Sequence, residues 1–133
     1  TKEVFEIAGP FDEDLFIDFV DTEWCLRCRS KDIPIYVVPS ALMRHRIGSK
    51  SIRFSRLTIL LHPPLRCYYQ VRNSLHLFRY RHVPFVFAAK QAISVLGSRI
   101  ILLFFVGRKL AHMKAILLGL LDGMIGHKGK KST

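Results

Sequence analysis

The chain has 133 residues, half of them hydrophobic, and 21 Lys and Arg against ten Asp and Glu give it a formal charge of +11. That length suits one domain or part of one, long enough to bury a core. The three cysteines are an odd count, which excludes a disulfide framework and suits a reducing cytoplasmic compartment. Lys2 to Ala8 reads as the middle of an amphipathic helix closed by Gly9, with Pro10 as a stop signal beyond it. The chain begins at Thr1 with this helix under way, so a piece of a longer protein is expected, with no signal peptide ahead of it. Phe11 to Phe19 reads as a loop or short turn. From Val20 or Asp21 to Lys31 the helix formers Glu23, Leu26, Arg27 and Arg29 predict a helix, with Asp21 or Thr22 placed to cap its first amides.

Ile33 to Val38 is β-branched and aromatic between Asp32 and Pro39, which predicts a strand, and Ala41 to Arg44 predicts a second. Gly48 to Ser55 is polar and basic and reads as a loop. Pro63 and Pro64 open a helix in which Leu65, Tyr68, Tyr69, Leu75 and Phe78 recur at helical spacing to Tyr80. Two apolar helices are then expected, Phe85 to Val106 and Leu110 to Ile125. Lys90, Gln91 and Arg99 interrupt the first and the second is short, so neither is read as a bilayer span. Lys90 and Arg99 fall on opposite sides of one helix, their separation being about 2.5 turns. The two helices are expected as a hairpin whose apolar faces pack on a partner domain or lie at a membrane surface.

Charge is divided unevenly. Nine of the ten acidic residues lie in the first 32 positions, and only Asp122 faces 17 Lys and Arg afterwards. Such a field attracts phosphates, anionic lipid or nucleic acid. Cys25 and Cys28 have CxxC spacing, which can mark redox chemistry or half a zinc site, but no second pair completes a closed site and buried thiols behave as small hydrophobes. No internal repeat and no Walker or Rossmann glycine motif occurs.

Gly9, Phe11, Asp12, Glu13, Phe16, Asp21, Glu23, Trp24 and Arg27 form the phrase G-x-F-D-E-x-x-F-x-x-x-x-D-x-E-W-x-x-R. Tyr68, Tyr69, Arg72 and Asn73 form a second, Y-Y-x-x-R-N. Together they resemble family-2 glycosyltransferases of the bacterial rhamnosyltransferase-like branch, over roughly the first 80 residues.

The resemblance implies an α/β fold. Residues 1–62 would be the acceptor-side, C-terminal half of a GT-A-like catalytic domain, with helices and a few short strands. Residues 63–133 would be an all-helical, membrane-associated extension. It implies Asp21 as the catalytic base, although the family's Glu-Asp pair reads Val20-Asp21 here; by residue type alone Asp21 reads first as an N-cap. Glu23 and Trp24 would hold an acceptor sugar by hydrogen bonding and stacking, while a lone Trp is as readily a core residue. Arg27, four residues after Glu23, is placed to pair with it. His45, in a phrase resembling H-x-x-G, would complete a Mg²⁺ or Mn²⁺ site at the donor diphosphate, whose other ligands, an Asp-x-Asp, are absent from the chain. A lone His among Arg residues otherwise reads as a surface or phosphate contact. Arg72 and Asn73 would contact the diphosphate or substrate, against the plain reading of a helix with core tyrosines and a solvated Arg.

The function this implies is inverting transfer of a sugar, rhamnose from dTDP-rhamnose for instance, to a lipid-linked glycan acceptor in cell-surface polysaccharide synthesis. It would take place peripherally at the cytoplasmic face of the bacterial inner membrane, and the chain alone is expected to be inactive. The alternative is a non-catalytic basic module on an anionic membrane surface or nucleic acid. The acidic and aromatic first segment disfavours nucleic acid, which would call for interleaved basic and aromatic residues.

Overall fold

A computed structural model describes residues 1–44, 51–54 and 57–131. Helix α1 spans Lys2–Ala8 and ends where Gly9, at φ 81°, turns the backbone left-handed and donates its N–H to the Phe5 carbonyl. A 3-10 turn over Glu13–Leu15 follows, capped by Asp12, whose Oδ1 accepts from the Asp14 N–H at 2.9 Å. Helix α2 spans Val20–Arg29, strands β1 and β2 span Ser51–Phe54 and Leu57–Leu60, and helix α3 spans Pro64–His76. A 3-10 turn over Leu77–Arg79 leads to α4, Phe85–Leu103, and α5, Lys109–Ile125.

The expected α/β, GT-A-like fold is overturned. Helices dominate, and among the described residues the only sheet is the antiparallel hairpin β1–β2, with Ser51 opposite Leu60 and Phe54 opposite Leu57. It falls partly where a loop was expected. No strand forms at Ile33–Val38 or Ala41–Arg44, which run irregularly with Tyr36 80% and Val37 88% exposed. The physical reason is that β-branched sequence favours a ladder only where a neighbouring strand supplies hydrogen-bond partners and a face to pack on.

Helix α3 is the centre of the packing. Cys67, Tyr68, Tyr69, Val71, Arg72, Asn73, Ser74 and His76 are all buried on it. The expected α4–α5 hairpin is replaced by two helices that each pack on α3 more than on one another, α5 most of all. Its approach is close because Ala115, Gly119 and Gly123 repeat every fourth residue on the facing side. A Cβ on Gly119 would stand 2.7 Å from the Tyr68 carbonyl oxygen, and one on Gly123 would stand 2.9 Å from Leu75 Cδ1. Leu77, Val83 and Ala88 form a second cluster, against which Phe19 and Leu26 fasten α2. The packing therefore crosses the expected boundary between 1–62 and 63–133.

Helix α4 has one buried face, with Ala88, Ala92, Arg99 and Leu102, and one exposed apolar face. Val86, Ile93, Ile100 and Phe104 are all exposed and fall in one stripe at ~100° per residue. Lys90 is exposed and Arg99 buried, as the spacing required. By length and composition α4 is sufficient to cross a membrane, with mean hydropathy 1.5 and 22% of that window buried, so its charges do not exclude it as the sequence reading held. Leu110, Met113, Leu117, Leu121 and Met124 make a corresponding exposed stripe on α5.

Candidate active site

The residues leading into α2 are unusual in their backbone. Phe16, Asp18 and Phe19 all have positive φ, between 61° and 66°, a region costly for side chains other than glycine. Carbonyl hydrogen bonds hold them there. The Asn73 Nδ2 donates to the carbonyls of Leu15, Ile17 and Asp18 at 2.8, 2.7 and 3.1 Å. Arg72 Nη2 donates to Asp14 and Leu15 carbonyls at 3.0 and 3.1 Å, and its Nη1 to the Gly129 carbonyl at 2.6 Å. Its Nε bonds Asn73 Oδ1 at 2.9 Å, and its guanidinium lies 4.9 Å from the Tyr69 ring centre.

This strained loop presents two carboxylates. Asp18 is gripped by Arg66, with Nε and Nη2 at 3.1 and 3.0 Å from its two oxygens. That pairing raises the Arg66 pKa. Asp21 sits in the first turn of α2 and is exposed, its Oδ1 accepting from the Thr22 N–H at 2.9 Å, with no cationic partner within ion-pair distance among the described residues. The N-cap position belongs to Phe19, so the capping alternative for Asp21 does not hold. Asp18, Asp21, Thr22, Arg66, Gln70 and Arg99 line a cleft of about 420 Å³ walled by Phe19 and Val95. Gln70 Oε1 is buried without a hydrogen-bond partner. Beside the cleft, His62 is held below its ordinary pKa by burial and then by Arg66 and Arg99, and burial pushes the Cys67 thiol up.

Glu23, Trp24, Arg72 and Asn73 do not line this cleft and make structural contacts. Glu23 is 1% exposed and paired in two-pronged fashion with Arg27, at 2.9 and 2.7 Å. His82 Nε2 lies 2.8 Å from Glu23 Oε1 without the angle of a hydrogen bond. Arg27 also donates to the Ala8 and Pro10 carbonyls, so the expected helix-surface pair is instead a clamp between α1 and α2. Glu23 faces a different cavity from Asp21, one of about 530 Å³ that it shares with Asp12, Arg27, Tyr80 and His82. There the Tyr80 hydroxyl donates to Asp12 Oδ2 at 2.6 Å, and burial, then Asp12, push its phenol far above the ordinary tyrosine value. Trp24 packs between Phe5 and Phe11, with ring centres 5.2 and 5.1 Å away, and its Nε1 donates to the Gly9 carbonyl at 2.9 Å. Its ring is thus used in packing. Arg72 and Asn73, expected at the diphosphate, are wholly buried with their donors committed to backbone carbonyls and, through Arg72 Nε, to Asn73 Oδ1.

His45 lies outside the described residues. Among those described, no group of three or more His, Cys, Asp or Glu could hold a metal ion, so they do not by themselves build the expected Mg²⁺ or Mn²⁺ site. Arg66, Gln70 and Arg99 escaped the sequence reading as site residues. The available signal was Arg99 itself, since a cation within a long apolar run is rarely buried without a purpose.

Known proteins agree with the class that the motifs suggested. No family model and no solved structure matches the sequence. Against curated proteins, the similarity is to a glycosyltransferase of the rhamnosyl-transferring kind. Over 129 residues, 97% of its length, the chain is 42% identical to dTDP-rhamnosyl transferase RfbF of Shigella flexneri. It spans 44% of the length of that relative.

Proposed function

We propose that this chain forms the acceptor-side part of a rhamnosyltransferase-like glycosyltransferase, in which Asp21 is the general base. One observation carries the reading: Asp21 is an exposed carboxylate without an ion-pair partner, fixed at a helix N-terminus on the wall of an open cleft. Inverting transfer needs such a group. The acceptor hydroxyl attacks the anomeric carbon, its proton passes to a carboxylate oxygen of Asp21, and the bond to the diphosphate breaks on the opposite face. The leaving electrons end on the diphosphate, where positive groups stabilise them. The relative's name favours dTDP-rhamnose as donor, and a lipid-linked glycan is the acceptor that suits the apolar helices. The Mg²⁺ or Mn²⁺ expected at the donor would have His45 as this chain's contribution. Alone, the chain is inactive in this reading and binds the nucleotide weakly, because the base and ribose are held from elsewhere.

The exposed stripes of α4 and α5 favour peripheral attachment at the cytoplasmic face of the bacterial inner membrane, with Arg108, Lys109 and Lys114 near anionic lipid. The test of catalysis is Asp21→Asn in a transfer-competent protein that contains this chain. Rhamnosyl transfer from dTDP-rhamnose should lose kcat while donor KM holds; an unchanged kcat rejects Asp21 as base.

A further inference from the structure

Arg99 is the one residue of the α4 buried face that an apolar helix would not choose. It is 7% exposed, so its charge has lost most of its water. Yet no carboxylate lies within ion-pair distance of it among the described residues, and its hydrogen bonds are long. Nε stands 3.4 Å from Ser98 Oγ, and Nη1 stands 3.4 Å from the Leu60 carbonyl and 3.9 Å from Cys67 Sγ. Arg66, on the same cleft, shows what a satisfied guanidinium looks like here, with both carboxylate oxygens of Asp18 engaged.

The charges in the cleft can be matched. Asp18 and Arg66 cancel each other, which leaves Arg99 and Asp21 as the two uncommitted charges, of opposite sign. Gln70 Oε1 adds an acceptor without a donor. A ligand that answers all three carries an anion for Arg99 and hydroxyl protons for Asp21 and Gln70. We propose that Arg99, reaching from α4 into the Asp21 cleft, is the anchor for the diphosphate of a hydroxyl-bearing ligand. A guanidinium offers several N–H donors in a plane, which suits phosphate oxygens better than a single-point cation would. The inference rests on the Asp21 cleft being the reaction site, and it adds an anion subsite supplied by the helical extension.

Calorimetric titration of the 133-residue chain with inorganic pyrophosphate, geranyl diphosphate and dTDP tests it. Pyrophosphate should bind, and Arg99→Gln should weaken it at least tenfold, with Arg99→Lys intermediate. Asp21→Asn should leave pyrophosphate binding equal or tighter, which separates this subsite from the base. Geranyl diphosphate binding above dTDP assigns the diphosphate to a lipid-linked ligand, and the reverse order assigns it to the nucleotide; either supports the anchor. No pyrophosphate binding, or equal binding by a folded Arg99→Gln, overturns it. Should Arg99→Gln not fold, the ¹⁵Nε resonance of Arg99 in the unsubstituted chain decides: a shift on adding pyrophosphate supports the anchor, and none overturns it. Failure here leaves the kcat test of Asp21 intact.

Discussion

The Asn73 carboxamide nitrogen lies 2.7 Å from the carbonyl oxygen of Ile17, the residue between two positive-φ positions of the loop that delivers Asp21. The side chain does for this loop what a neighbouring strand would otherwise do, donating to the carbonyls of Ile17 and Asp18 and adding a second donor to that of Leu15, which the Ile17 N–H already reaches. Asn73→Ala should therefore cost stability, on the order of 2–3 kcal/mol, since buried carbonyls are left without donors. Urea denaturation measures it. A loss of pyrophosphate affinity in the folded variant with no loss of stability would return Asn73 to the ligand.

Asp21→Asn should behave oppositely. The side chain is exposed and makes only a local bond to the Thr22 amide, so melting should shift little, while kcat in a transfer-competent protein falls about 10²–10⁴-fold. Circular dichroism and transfer kinetics on the same preparation check both halves.

Two glycines make a matched pair. Gly119→Ala places a methyl 2.7 Å from the Tyr68 carbonyl oxygen, which must push α5 off α3 and cost about 1–3 kcal/mol. Gly97→Ala, on an exposed turn of α4 with nothing within 4 Å, should gain about 0.5–1 kcal/mol from the stiffer unfolded chain. Thermal melts with opposite signs are the expected result.

The bond from the Tyr68 hydroxyl to Asp122 Oδ2, 2.6 Å long, sets a pH dependence at both extremes. Burial first, then Asp122, push the Tyr68 pKa up to about 12 from an ordinary 10.0. The folded value is the higher, so this stabilisation is full below pH 10 and is lost as pH rises towards 12. Asp122 is lowered from 3.8, chiefly by the Tyr68 hydrogen bond, so its contribution is present above that value and is lost as pH falls through the depressed one. Tyr68→Phe should lower stability at neutral pH by roughly 1–2 kcal/mol and flatten both limbs. Stability curves from pH 2 to pH 12 show whether they flatten.

The apolar stripes predict vesicle binding. Co-sedimentation should favour anionic over neutral vesicles, weaken as salt shortens the Debye length from about 8 Å, and fall when Ile93 and Ile100 become Asp. Equal recovery with both lipids would mean that the basic residues serve another partner.

Much of the helical framework was legible because its signals are local. Gly9, Pro10 and the paired Pro63 and Pro64 punctuate the chain wherever it folds, but the apolar period read from Leu65 to Phe78 did not show which face is buried: Leu65 and Phe78 are exposed, while Arg72, Asn73, Ser74 and His76 are buried. Strands were not legible for the opposite reason: Ile33–Val38 has the composition of a strand but no described neighbour, whereas β1 and β2 arise through pairing that no single position announces. The site divided similarly. The phrase that singled out Asp21 leads to a residue on a cleft wall, but the same phrases contain Glu23, Trp24, Arg72 and Asn73, whose chemistry serves equally to hold a scaffold. Arg99 stands out in the sequence as a cation in an apolar run, but its place beside Asp21 and Thr22 comes only from the packing of α4, which linear spacing does not show.

The Arg72 link between the carbonyls of Asp14 and Gly129 has a kinetic consequence. Arg72 is 58 residues from one and 57 from the other, and the Gly129 N–H returns the link by donating to Asp14 at 2.8 Å. Closing loops of that length is entropically unfavourable until both halves are ordered, so such contacts form late. A chain halted before Gly129 would carry the helices but leave Arg72 Nη1 without the Gly129 carbonyl and the Asp14 carbonyl without the Gly129 N–H.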